Sequence, residues 1–188
     1  LSPADIAAPI RTVVKDRQQM HVLLEKVTGI DKAKRRVLLG SGATVKYDQL
    51  VLATGARHSY FGKEQWAQFA PGIKTIDDAT RVRRSILLAL ESAETNRQED
   101  IASRDEFLTF VVIGGGPTGV EMAGAIAELT RHATSMEFRY VTPKCVRIIL
   151  IEAGPRLLAA FPEDLSAAAK RSLEMLEVEV RLNGRVTQ

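Results

Sequence analysis

One run of fifteen residues, Phe110 to Gly124, restricts this chain more than any other: an apolar stretch breaks on glycines and continues into a helix-forming segment. Gly114, Gly116 and Gly119 fall on the G-x-G-x-x-G spacing. In that pattern the first glycine permits a tight turn, the second lets backbone approach a pyrophosphate, and the third lets helix and strand pack closely. The free N–H groups and positive dipole end of the helix suit an anion. A second apolar run, Val146 to Ile151, ends in the acid Glu152. Strand, glycine turn, helix, strand and acid in this order read as a dinucleotide phosphate cradle rather than as a glycine-rich turn without a ligand.

The surroundings extend the pattern. A strand is predicted over Leu108 to Ile113 and a helix from about Pro117 to Arg131, whose Ala123, Gly124, Ala125 and Ala127 allow close approach to a sheet. His132 to Lys144 reads as an irregular insertion, followed by a strand to Ile151, a helix over about Pro162 to Leu176 and a third strand over Val178 to Leu182. This is an α/β order with a parallel sheet and flanking helices, half of a Rossmann-like unit. An acid at the end of the second strand accepts hydrogen bonds from the ribose hydroxyls of NAD and repels a 2′-phosphate. Glu152 takes that position, although it stands 33 residues past Gly119 where about 20 is usual; the insertion accounts for the excess. Arg156 argues the other way, since an arginine there can accommodate NADP. Glu121, one turn into the helix, is either a favourable acid at a positive helix end or a side chain facing a cofactor's reactive end.

The first part of the chain is of another kind. Ser2 to about Asp16 reads as a helix with Ile6, Ile10, Val13 and Val14 on one face. The β-rich Met20 to Val27, then Val37 to Leu39 and Val45 to Leu52 around Gly40-Ser-Gly42, make a small antiparallel meander. It runs into Tyr47 to Gly55, read as a buried strand and glycine turn. Arg57 to Lys74 is loop-like with Pro71-Gly72, and a helix over about Asp77 to Glu94 carries the stripe Val82, Ile86, Leu90 and Ala93, with Asp77 or Asp78 as its cap. The domain division is therefore placed at residues 1–74 and 75–188.

Composition removes several classes. At 188 residues, 45% hydrophobic and 26% charged, the chain is globular rather than disordered or fibrous. A net charge of +3 with interleaved signs and 5% aromatics argues against nucleic acid; the basic clusters Arg81, Arg83, Arg84 and Lys34-Arg-Arg36 read as solvated faces, with salt-sensitive DNA binding as the contrary test. The one cysteine, Cys145, excludes an intramolecular disulfide and fits a reducing compartment. His21, His58 and His132 are scattered, so no metal site is expected. No G-x-S-x-G elbow is present, and no stretch approaches the roughly 18 apolar residues of a membrane helix.

Several segments together resemble a known family. The glycine run from Val112 to Glu121, the Tyr47 to Gly55 segment, Leu1 to Ala7, His58 to Gly62 and Ile151 to Arg156 are similar to the type II NADH dehydrogenases, single-subunit NADH:quinone oxidoreductases of the two-dinucleotide-binding flavoprotein superfamily. The resemblance implies a flavoenzyme in which FAD takes a hydride from NADH and passes electrons to a quinone, attached peripherally at the cytoplasmic side of the inner membrane, with a homodimer left open. It implies that Gly114, Gly115, Gly116, Pro117, Thr118, Gly119 and Glu152 hold NADH, and that Glu121 lies between nicotinamide and flavin. It also implies that Ala53, Thr54 and Gly55 come close to FAD, and that Val27 is an adenine-side contact. The family's first glycine fingerprint and its late flavin and quinone segments have no counterpart here. The chain therefore reads as a central piece, a remnant of an FAD domain plus an NADH domain, expected to be inactive by itself. A ferredoxin or rubredoxin reductase type of flavoprotein, or a stand-alone dinucleotide sensor, are the competing readings.

Overall fold

A computed structural model describes residues 7–55, 59–60, 62–95 and 108–187. They form two compact units, residues 1–80 and 81–188, and each is described by itself.

The first unit centres on a three-stranded antiparallel sheet, β1 (Val27–Asp31), β2 (Arg36–Leu39) and β3 (Thr44–Lys46), in the order β1-β2-β3. Register is set by two tight turns. In the first, Asp31 Oδ1 accepts the Lys34 N–H at 2.9 Å and Arg35 takes φ 49°; an Asx-type turn of this sort closes a hairpin locally. In the second, Gly42 at φ 87° occupies the left-handed region open to glycine. Arg36 then faces Lys46 and Val37 faces Val45 across β2 and β3.

Three sequence expectations change in this unit. Among the described residues the N-terminal helix is α1 (Ile10–Val13); residues 1–6, including Ile6, lie outside the described set. Pro9 is its N-cap at φ −59°, ψ 126°. Proline has no N–H to donate and disfavours helical backbone in the residue before it, so a helix through position 9 is blocked. The expected apolar face is also open: Ile10 and Val13 are exposed. Residues 47–55, expected as a buried strand, have no ladder and are exposed except for half-buried Tyr47, with Val51 85% accessible. A strand of this apolar character needs neighbours on edge and face, and the described residues of this unit do not supply them.

The second unit follows the βαβαβ expectation. α2 (Ile76–Thr95) begins before the division between the units and continues into the second. It starts on a capping box, in which Thr75 Oγ1 accepts the Asp78 N–H at 3.1 Å and Asp78 Oδ2 accepts the Thr75 N–H at 3.0 Å. Thr75, not an aspartate, is thus the cap. β4 (Thr109–Ile113), α3 (Pro117–Met136), β5 (Arg147–Ile151), α4 (Glu163–Met175) and β6 (Val178–Arg181) follow. The three strands are parallel in the order β4-β5-β6, with Val111 beside Ile149 and Ile149 beside Glu179. α3 is five residues longer than expected and takes in the first five residues of the expected insertion, His132 to Met136. Its last turns bury Ala133 and Thr134, and that tertiary burial keeps the helix going past Arg131.

The core has two clusters. Ala123, Ile126, Ala127, Ile148, Leu150, Leu157, Leu173 and Val178 pack with Ile86 of α2, and Leu90 and Ala93 pack with Leu108, Ala133 and Val141. The predicted α2 stripe is the buried one, while Arg81, Arg83 and Arg84 are exposed.

Candidate functional site

The glycine turn lies where β4 ends and α3 begins, beside the end of β5. Its four glycines are glycine for different reasons. Gly114 has φ +106°, which side chains of the L series rarely adopt. A Cβ on Gly119 would strike the carbonyl oxygen of Gly114, so the first turn of α3 sits against the loop backbone. A Cβ on Gly115 would come within 2.7 Å of Leu157 Cδ2 and 2.9 Å of Glu152 Cβ. Gly116 differs: its φ −74° and ψ 179° suit any residue, and a Cβ there would meet nothing within 4 Å.

Gly116 is also the N-cap of α3, with Pro117 at the first helical position and no side-chain cap among the described residues. Proline there gives up an N–H that would be unbonded anyway. Gly116, Pro117 and Thr118 are exposed, and Gly119 is half-buried. The helix therefore presents its positive end, without a side chain over it, to open space.

Glu152 is drawn into the same place. Its Oε2 accepts the Gly115 N–H at 2.5 Å and its Oε1 accepts the Gly154 N–H at 2.6 Å. The loop after β5 is itself fixed: Leu158 N–H donates to Gly115 O at 2.7 Å, Leu157 is buried in the core, and the buried Ser166 hydroxyl donates to Leu157 O at 2.6 Å. Just past β6, the N–H groups of Asn183 and Gly184 donate to Gly154 O and Glu152 O, both at 3.0 Å. The guanidinium of Arg156 donates to Phe161 O at 2.7 Å and to Ala159 O at 2.8 Å, closing its own loop.

The other expected residues are placed as follows. Glu121 stands exposed on α3. Val27 opens β1 opposite Leu39 and is 53% accessible. Ala53, Thr54 and Gly55 are exposed coil, with Gly55 at φ 73° and nothing within 4 Å of a Cβ added to it, so backbone there is approachable. Val27 and residues 53–55 belong to the first unit and the glycine turn to the second. His21 and His132 are exposed, and His58 lies outside the described residues. Among the described residues no three His, Cys, Asp or Glu side chains group as metal ligands, and no helix is long and apolar enough to cross a membrane.

Sequence reasoning missed Glu94. Its carboxylate accepts the backbone N–H groups of Arg139, Tyr140 and Val141 at 2.9 to 3.2 Å, tying the end of α2 to the loop before β5. No spacing rule announces a contact between residues so far apart in the chain. The spacing excess before Glu152 also has a different origin from the one expected, a longer α3 followed by the loop over residues 137–146.

A parallel βαβαβ sheet with a glycine turn at the first strand-to-helix junction and an acid at the end of the second strand defines a class, and the comparison with known families agrees. The chain belongs to the pyridine nucleotide-disulphide oxidoreductase family, whose model matches residues 2–188. Over its whole length it is 44% identical to the type II NADH:quinone oxidoreductase NdhA of Mycobacterium tuberculosis, of which it covers 40%. It is equally 44% identical to Ndh of the same organism, of which it covers 41%. Among solved structures, NDH2 of Plasmodium falciparum in complex with NADH aligns with a TM-score of 0.73 and 27% identity, over 86% of this chain and 33% of that one. The chain thus spans about two fifths of the length of the curated relatives it matches.

Proposed function

We propose that residues 75–188 form the NADH-binding part of a type II NADH:quinone oxidoreductase, with residues 1–74 belonging to its FAD-binding part. The observation that carries this reading is the contrast among the loop glycines. Turn geometry accounts for Gly114 and packing for Gly115 and Gly119, whereas nothing inside the fold requires Gly116 to lack a side chain. Its missing Cβ leaves room above the α3 N-terminus, and a pyrophosphate fits that room, being anionic and able to take the free N–H groups.

In this reading NADH supplies the hydride and FAD accepts it on the way to a quinone. Gly114 to Gly119 hold the pyrophosphate, Glu152 meets the adenosine ribose, Glu121 serves the reacting end, and Ala53, Thr54, Gly55 and Val27 lie on the FAD side. The whole protein acts at the cytoplasmic side of the inner membrane as a peripheral enzyme, either as one copy or as a homodimer. The NAD form is favoured over NADP by two features: a carboxylate ends β5, and the guanidinium of Arg156 is already bonded to two carbonyls.

Gly116→Ala tests the reading. Its backbone angles accept alanine, and the N-cap change costs at most about 1 kcal/mol. The expected outcome is an unchanged far-ultraviolet spectrum with NADH affinity, by calorimetry, lowered at least about tenfold, a loss of some 1.4 kcal/mol. Unchanged affinity for NADH in this variant would remove the pyrophosphate from the loop.

A further inference from the structure

The glycine loop is stitched to the end of β5 and the segment after it by three hydrogen bonds. Two are backbone to backbone: Gly114 N–H to Ile151 O at 2.8 Å, and Leu158 N–H to Gly115 O at 2.7 Å. The third, from Gly115 N–H to Glu152 Oε2 at 2.5 Å, is the one that depends on a side chain. The other oxygen of the same carboxylate holds Gly154 at 2.6 Å. The side chain of Glu152 also lies flat against Gly115, close enough that its Cβ and Cγ would stand 2.9 and 3.0 Å from a Cβ there. Gly115 is buried and immediately precedes the N-cap of α3.

We propose that Glu152 is a positioning residue for the phosphate loop: by clamping Gly115 and Gly154 together it holds the N-terminus of α3 in place for a pyrophosphate, independently of any contact it makes to ribose. The proposal rests on the reading of this loop as the pyrophosphate site of NADH. Bonds from backbone N–H to an ionised carboxylate are short and strong. A carboxylate has about four acceptor positions, and each oxygen uses one here on an amide, so hydroxyl groups of a ribose can still be accepted. The same group thus serves both ends of the adenosine diphosphate moiety. Glutamine keeps one acceptor oxygen and puts an NH2 donor where the second amide points, so it cannot satisfy Gly115 and Gly154 together.

The test uses the whole protein as its host produces it, and two ligands: NADH and an NADH analogue lacking both hydroxyls of the adenosine ribose. Glu152→Gln is expected to weaken NADH about tenfold or more, and to weaken the analogue about threefold or more although no ribose hydroxyl remains to be lost. If the variant and the natural protein bind the analogue equally, Glu152 acts on ribose alone and the proposal is overturned. If the natural protein binds both ligands equally but Glu152→Gln loses both, the ribose contact is removed and the positioning role stands. Glu152→Asp, one methylene shorter and unable to span both amides, is expected to lower analogue affinity in the same way, so the outcome does not hang on one variant. If the natural protein does not bind NADH, the reading of the loop fails. Amide exchange of the peptide over residues 113–120 without nucleotide then decides: faster exchange in Glu152→Gln supports the clamp, and unchanged exchange overturns it.

Discussion

The two units of this chain treat apolar side chains in opposite ways. Among the described residues every buried hydrophobic side chain lies between Ile86 and Val178, in the second unit. In the first unit Leu24 is 93% and Val51 85% accessible. Both have ordered sheets, so the difference is not between structure and its absence. A meander gets its register from two turns and from partners adjacent in sequence, and a single layer of strands builds no core of its own. A βαβαβ unit returns a helix to the sheet after each strand, so it manufactures a core from its own sequence. The relatives matched here are about two and a half times as long.

The contrast can be broken most directly at Leu150 of β5, which is fully buried in the core cluster that includes Ala123, Ile126 and Ala127 of α3. Leu150→Ala is expected to cost about 2 to 5 kcal/mol in urea unfolding of the 188-residue chain, whereas Leu24→Ala should stay within about 0.5 kcal/mol. A comparable loss at Leu24 would mean that the first unit buries that side chain after all. An intermediate effect is expected at Glu94. Removing its carboxylate leaves the amides of Arg139, Tyr140 and Val141 to find water, and Glu94→Ala should lower stability by about 1 to 2 kcal/mol, read in the same titration.

The smallest effect sharpens how little the open surface of the second unit contributes. Arg181 and Arg147 both bond to Glu179, at 2.7 Å each, and hold its carboxyl below the ordinary value of 4.5, with the Arg181 bond the larger cause. A carboxyl whose folded value is depressed adds stability that is fully present above its unfolded value and fades as pH falls through the folded one. The difference between the natural chain and Glu179→Gln should therefore be small at pH 7, begin to fade as pH falls below the ordinary value of 4.5, and vanish once pH is below the lowered folded value, checked by thermal melts across that range. A difference that grows on acidification would show the pair acting otherwise.

Much of the second unit was legible because its signals are local and periodic. The α2 stripe, the strands before and after the glycine turn, and the helix after Phe161 follow from spacing alone. The errors arose where a non-local contact decides. α3 runs on to Met136 because Ala133 and Thr134 find a core to enter. The α2 cap differs for a local reason: Thr75 and Asp78, three residues apart, satisfy each other's amides. In the first unit a local rule decides, since Pro9 alone forbids the long helix. Tyr47 to Gly55 reads as a buried strand because its composition is that of one, yet composition cannot supply the neighbouring strand that a ladder requires.

At the site, the identities and spacing of Gly114, Gly116 and Gly119, and the acid at position 152, were set by sequence, because a tight turn, a helix N-terminus and a strand end are short-range objects. The packing of Gly115, and the particular atoms each loop glycine meets, emerged only in three dimensions. Gly115 is packed against Glu152 and Leu157, Gly119 against Gly114, and Gly116 against nothing. That Glu152 also grips the loop it was expected only to accompany was a tertiary decision too. Parallel pairing of β4 with β5 brings residues 37 positions apart within one hydrogen bond, and no pattern along the chain encodes that distance.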